Sequence, residues 1–271
     1  MTVVLIGPIT KDLVVVGGQK SHRVGGATYY QSFVFEKYFP DYLAIVNCLD
    51  ESLIDEFPDN SKVRTILKDN THYFINEYLD KDDLDIRHQL SNFADIPILK
   101  EDLVDILPED IDGFVINPLN RNDFPAETIE YLKSFNVPVF MSIQGFLRIP
   151  LNKVNENYTI KLDKFDELDD ILSNVTAIFL DEEEANLINL DCDVDEIVIT
   201  DGSRGSRIIS GDEIKIGAVE CGPIVDATGC GDTYMAAYIS QRLSSKSPEQ
   251  AGKFASLISS KKLTNKGPFN G

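Results

Sequence analysis

Cysteine and histidine are scarce in this 271-residue chain, four and three respectively, and neither is clustered. Cys48, Cys192, Cys221 and Cys230 form no C-x-x-C pair, and His22, His72 and His88 show no metal-ligand spacing. That scatter argues against a zinc knuckle or a disulfide framework and fits isolated thiols in a reducing compartment. Long apolar runs are also missing, so no segment reads as a bilayer span. The opening strand-like run from Thr2 to Ile6 lacks the basic start and long apolar stretch of a secretory signal. A cytoplasmic location is the expectation. Basic residues are in deficit, 25 Lys and Arg against 45 Asp and Glu, for a net charge of −20. A field of that sign opposes generic binding to nucleic acid or to anionic membrane, and neither is expected as a partner.

What is present is ordinary for a globular protein, with 43% hydrophobic and 26% charged residues. The length suits one large α/β domain with a small appendage, spanning 1–271. Thr2–Ile6 and Leu13–Val16 read as strands, the second stopped by Gly17-Gly18. Gly25-Gly26 opens a helical stretch in which Tyr29, Tyr30, Phe33, Val34 and Tyr38 recur at helical spacing. Strands are expected at Tyr42–Cys48, Val63–Leu67 and Tyr73–Tyr78, and the polar segment from Asp80 to Ser91 reads as a loop or flap. Beyond residue 111, strands at Phe114–Asn117, Val137–Ser142, Ala177–Leu180 and Ile197–Thr200 alternate with helical segments. A hairpin at Arg207–Ser210 and Glu213–Val219 follows. Helices at about Asp232–Leu243 and Pro248–Leu263 close the chain. The alternation implies a doubly wound, mostly parallel sheet with helices on both faces. The 10–25 and 70–95 regions supply strands for a second, smaller sheet.

The sharpest local signal is Asp226-Ala-Thr-Gly-Cys-Gly-Asp232-Thr, running straight into a helix. Two glycines around one residue at a helix start let the backbone fold tightly and aim free N–H groups outward. With the helix dipole they make an anion site, and Asp232 in the first turn lies beside it. Amides that hold the charge of a transferred group, beside a carboxylate that takes a hydroxyl proton, are what phosphoryl transfer to an alcohol requires. Taken alone, Asp232 is equally well an N-terminal cap. A Walker A pattern is absent, and a dinucleotide fingerprint starting at Gly229 fails at Tyr234.

This segment resembles the C-terminal signature of the PfkB carbohydrate kinases, D-T-x-G-A-G-D, with Ala227 for Thr and Cys230 for Ala. The resemblance implies a ribokinase-like fold, a β-sheet lid drawn from about 13–24 and 70–92, and an anion hole built by the amides of Gly229, Cys230 and Gly231. Asp232 would be the base. Gly7-x-x-x-x-Asp12 resembles the element whose aspartate holds acceptor hydroxyls, and Gly25-Gly26 the di-glycine where the acceptor nears the backbone. Tyr29 and Tyr30 fall in the stretch where many sugar kinases carry Asn, which implies a more apolar or differently shaped acceptor pocket; the alternative reading is core packing. Asn117-Pro118-Leu119 and Gln144 to Arg148 resemble loops lining the cleft. Arg87 and Arg148 would reach the acceptor or the transferred phosphate on lid closure. Thr200-x-Gly202-Ser203-x-Gly205 resembles the nucleotide loop, with Asp226 and Thr228 beside it. Asp181 and Glu184 occupy the N-x-x-E position associated with Mg²⁺, which they would hold through water. At a helix start, Cys230 is expected to have a lowered thiol pKa.

The resemblance implies transfer of the γ-phosphoryl group of ATP, with Mg²⁺, to a hydroxyl of a small polyol, sugar, nucleoside or cyclitol. It leaves a monovalent cation open as a further cofactor, and a homodimer through the lid. One rival is a degenerate member that binds nucleotide or metabolite without turnover, suggested by Asp181, Ala227 and the tyrosine pair. The other is an oxidoreductase on a similar sheet, opposed by the missing fingerprint.

Overall fold

A computed structural model describes residues 2–78, 87–173 and 175–271; the side chains of Tyr78 and Arg87 also lie outside that description. Its main sheet has nine strands. From one edge they run Asp212–Ile216, Ser206–Ser210, Glu196–Thr200, Ala177–Asp181, Val139–Ser142, Gly113–Ile116, Val3–Ile6, Tyr42–Cys48 and Val63–Leu67. The inner strands pair in parallel, while the Ser206–Ser210 and Asp212–Ile216 hairpin adds antiparallel pairs at its edge. Val3–Ile6 is buried at every position. A strand covered on both faces needs an unbroken apolar run, which Val3-Val4-Leu5-Ile6 supplies.

Side chains alternate between two cores. Val3 and Leu5 point to one, with Phe35 and Tyr238 of the helices Ala27–Tyr38 and Cys230–Leu243 and Ala255 of Pro248–Leu263. Val4 and Ile6 point to the other, with Ile129 and Leu132 of Ala126–Lys133 and Ile171 of Leu168–Leu172. The Pro248–Leu263 helix starts as its sequence dictates. Ser247 Oγ accepts from the Gln250 amide, Gln250 Oε1 accepts from the Ser247 amide, and Pro248 occupies the first turn. No helix among the described residues is long and apolar enough to cross a membrane.

A second, six-stranded sheet has the order Arg148–Val154, Asn157–Leu162, Arg87–Ser91, Phe74–Tyr78, Thr10–Val16 and Gln19–Gly25. Two sequence expectations need correction here. Residues 87–91 are not loop but a strand antiparallel to Phe74–Tyr78, with Gln89 opposite Asn76; 79–86 lie outside the described residues. The hairpin Arg148–Leu162 also joins this sheet, pairing Tyr158 with Ser91, although only the 10–25 and 70–95 regions were expected to supply it.

Candidate active site

The two sheets meet over the C-terminal ends of the central parallel strands, the usual ligand position in an open α/β sheet. A cavity of about 470 Å³ lies there. Its floor is the segment 227–232 at the start of the Cys230–Leu243 helix. Gly229, the N-cap, has φ +74°, and no side chain caps the helix. A Cβ at Gly229 would lie 2.3 Å from the Tyr30 ring, so the residue is fixed as glycine both by its left-handed backbone and by the tyrosine packed on it. The Cys230 amide donates to the Ala227 carbonyl at 3.1 Å and the Thr233 amide to the Gly229 carbonyl at 2.9 Å. Cys230 N–H is turned inward, leaving the amides of Gly229, Gly231 and Asp232 as those with no backbone acceptor among the described residues.

Asp232 is half-buried on the cavity wall. Burial pushes its carboxyl pKa up to about 6, against the pull of the Arg148 and Lys262 charges. Such a group is ionised at neutral pH yet basic enough to accept a proton. Arg148 is half-buried where the main sheet hands over to the second sheet, with its guanidinium 5.8 Å from the centre of the Phe74 ring. Its charge bears on Glu184 as well as Asp232. Asp12, 8% exposed, projects from the strand Thr10–Val16 into the same cavity. Its Oδ2 would be 2.6 Å from a Cβ at Gly25, so that glycine makes room for the carboxylate. Gly26, φ +96°, would meet the Pro8 carbonyl at 2.4 Å. Tyr30 is buried amid Asp12, Asp226 and Asp232, and burial together with those charges pushes its phenol pKa up. Tyr30 thus packs in the core and also lines the cavity, whereas Tyr29 is held edge-on by Tyr30, Phe33 and Phe57.

Asp181 and Glu184 sit on the wall as a reciprocal cap. Glu184 N–H donates to Asp181 Oδ1 at 2.9 Å and Asp181 N–H to Glu184 Oε2 at 3.0 Å. Burial, with the neighbouring Asp181 charge, raises the Glu184 carboxyl to about 7. Among the described residues no three carboxylate, imidazole or thiolate groups cluster as a metal cage. Two carboxylates, each with one oxygen committed to an amide, suit a hydrated Mg²⁺ held through its water.

Other expected residues fall off the wall. Thr200 and Thr228 line the cavity, but Gly202, Ser203 and Gly205 form a turn beyond it. Gly205, at φ +98°, lies against the Ile216 carbonyl. Gly25 and Asp226 lie behind the wall. The Asp226 carboxylate accepts from Arg23 Nη1 at 2.9 Å and from the amides of Thr228 at 2.9 Å and Gly267 at 3.0 Å. Burial would raise its pKa, but the Gly267 amide, the Lys262 charge and Thr228 hold it below the ordinary value. The Arg87 side chain lies outside the described residues. The Cys230 thiol departs from expectation, because burial raises its pKa more than Lys262 and Ser259 lower it.

Gln144, in a loop expected to line the cleft, does so, whereas sequence reasoning missed Asn76 and Gln89 of the second sheet, whose side chains bond at 2.7 Å at the cavity. It also missed two buried supports. Gln31 and Asn117 exchange amide hydrogen bonds at 2.8 Å in both directions. His72 stands 3.2 Å from Asp123, whose other oxygen takes the amides of Leu119 and Asn120. Asn76 was the one with a signal, being polar two residues from Phe74, on the inward side of its strand.

Residues 152–271, which include the cavity floor, match the model of the pfkB family carbohydrate kinases. A nucleoside kinase of Methanocaldococcus jannaschii is 30% identical over 108 residues, spanning 36% of the chain and 36% of that relative. Among solved structures, a pyrophosphate-dependent kinase in the ribokinase family, seen as a sulfate complex, matches with a TM-score of 0.82 and 24% identity. That match covers 99% of this chain and 97% of the other. A pyrophosphate-dependent kinase of the ribokinase family, complexed with a pyrophosphate analog and myo-inositol, gives 0.81 and 22% over 99% and 97%. The whole chain has the ribokinase-like fold, and the cavity-floor segment 227–232 lies within the residues matched to the pfkB model.

Proposed function

We propose that the chain is a kinase that transfers a phosphoryl group to a hydroxyl of a small sugar, nucleoside or cyclitol. The observation that carries this reading is the Asp232 carboxylate beside an uncapped helix start, in one cavity with Asp12. Asp12 anchors acceptor hydroxyls, and Asp232 takes the proton of the attacking one. The open amides of the 229–232 turn stabilise charge on the transferred group. Arg148 offsets charge between acceptor and donor. Mg²⁺, when bound through water to Asp181 and Glu184, would neutralise donor phosphates. The second sheet acts as the lid, excluding water as it closes. Exposed Leu151 and Val154 on its edge strand are the surface through which a homodimer would form.

ATP is the donor expected of the family. Pyrophosphate is the second reading, favoured by the whole-chain likeness to pyrophosphate-dependent kinases. The walls favour a compact polyol, since Thr10, Asp12, Asn76, Gln89 and Gln144 offer hydrogen-bonding groups on several sides. The test is product formation from Mg-ATP and from Mg-pyrophosphate with panels of sugars, nucleosides and cyclitols. Asp232→Asn should lower kcat by at least ~10², the scale of losing a positioned base. Near-wild-type turnover in that variant would refute the base. Donor binding with no product from any acceptor would favour the binding-only reading.

A further inference from the structure

Lys262 lies on the Pro248–Leu263 helix, fully buried, behind the anion loop. Its Nζ donates to the Asp226 backbone carbonyl at 2.6 Å and stands 3.9 Å from Asp226 Oδ1. An ammonium in such a place is costly unless its charge is used, and a residue serving packing alone would be apolar. Burial pushes its pKa down while Asp226 pulls it up; Cys230 and Asp232 on the neighbouring helix and Arg23 on the second sheet are the other charged or titratable groups that face it.

The family resemblance raises a monovalent cation as a cofactor, and such an ion needs several oxygens carrying net negative charge. Behind this loop the buried carboxylate is Asp226. Its oxygens are already met by Arg23, Lys262 and two amides, and its carbonyl by the ammonium. The residues present do not fit an additional cation there.

We propose that Lys262 is the internal cation of the anion site, fixing the 226–232 loop through the Asp226 carbonyl and supplying the positive charge that a bound monovalent ion would otherwise bring. It is a positioning residue, touching neither donor nor acceptor. The kinetic consequence rests on the kinase reading; the effect on anion binding does not.

The experiment has two arms on the full chain. In the first, turnover is compared in potassium, sodium and tetramethylammonium chloride at one ionic strength. Rates within about twofold are expected, and activation of about tenfold or more by potassium overturns the proposal. In the second, calorimetry follows inorganic pyrophosphate and Mg-ATP binding to wild type and to Lys262→Met, which removes the charge and keeps much of the length. Binding of both ligands should weaken by about tenfold, the scale of one charge acting through protein. The acid limb of the kcat profile should move to higher pH, because Lys262 holds the Asp232 pKa down. Unchanged binding and an unmoved limb overturn it. Should Lys262→Met fail to fold, Lys262→Gln replaces it and the cation series still decides. If no acceptor is turned over, the kinase reading fails while the binding arm still judges Lys262. A wild-type chain that binds neither anion overturns both.

Discussion

Replacing Gly229 by alanine perturbs two things at once. The residue has φ +74°, where a Cβ costs about 1–2 kcal/mol. The new methyl would also stand 2.3, 2.5 and 2.7 Å from Cδ1, Cγ and Cε1 of Tyr30. Overpacking of that kind costs about 1–3 kcal/mol, because Tyr30 is buried and has little room to retreat. The sum is about 2–5 kcal/mol. For a chain of this size it lowers Tm by roughly 5–15 °C. Thermal unfolding of Gly229→Ala, Tyr30→Ala and the double variant separates the two effects. Removing the ring relieves the clash but not the backbone strain. The double variant should therefore be about 1–3 kcal/mol more stable than the sum of the single losses implies. A Gly229→Ala protein melting with the wild type, or strictly additive losses, refutes the account of why glycine stands there.

The stability of Asp232→Asn should depend on pH. The folded carboxyl titrates near 6, above its ordinary 3.8, so its contribution is full below about 4 and lost as pH rises through 6. Melting at pH 8 should show the variant about 1–3 kcal/mol more stable than wild type, with the gain shrinking by pH 4.5. Exposed Cys221 should be alkylated by iodoacetamide before Cys230, whose thiol is shielded and raised in pKa, and ATP or pyrophosphate should slow Cys230 further; peptide mass spectrometry reads both. Arg121 donates to the carbonyls of Phe146, Asp163 and Lys164, tying together the two ends of the Arg148–Leu162 hairpin. Arg121→Ala should cost about 2–4 kcal/mol in urea unfolding and raise the acceptor KM more than it lowers kcat.

What could be read in the sequence was whatever local chemistry fixes. The apolar run Val3–Ile6, the Ser247–Pro248–Gln250 start and the paired glycines at 229 and 231 each specify structure within a few residues, and the cavity floor came from the last of these. The second sheet was half legible for a matching reason. Arg87–Ser91 has no alternation of its own and becomes a strand by pairing with Phe74–Tyr78. Arg148–Val154 carries Pro150 and a register shift between Pro150 and Lys153, the marks of an edge strand, which weaken any strand signal. Asn76, Gln89 and the His72–Asp123 contact depend on partners distant in sequence. The Cys230 pKa went the other way because burial outweighed the helix start.

The smaller sheet has a consequence for how the molecule breathes. It is woven from three separate parts of the chain, residues 10–25, the strands Phe74–Tyr78 and Arg87–Ser91, and residues 148–162, each entering from a different place in the main sheet. A cover made from one loop can swing on two ends and melt alone. One woven from three shares its backbone ladder among strands anchored independently, so no strand can leave without breaking pairs that hold another. Its amides should therefore exchange with solvent as one cooperative unit, and opening the cavity should tilt an intact sheet about its anchors rather than unravel it.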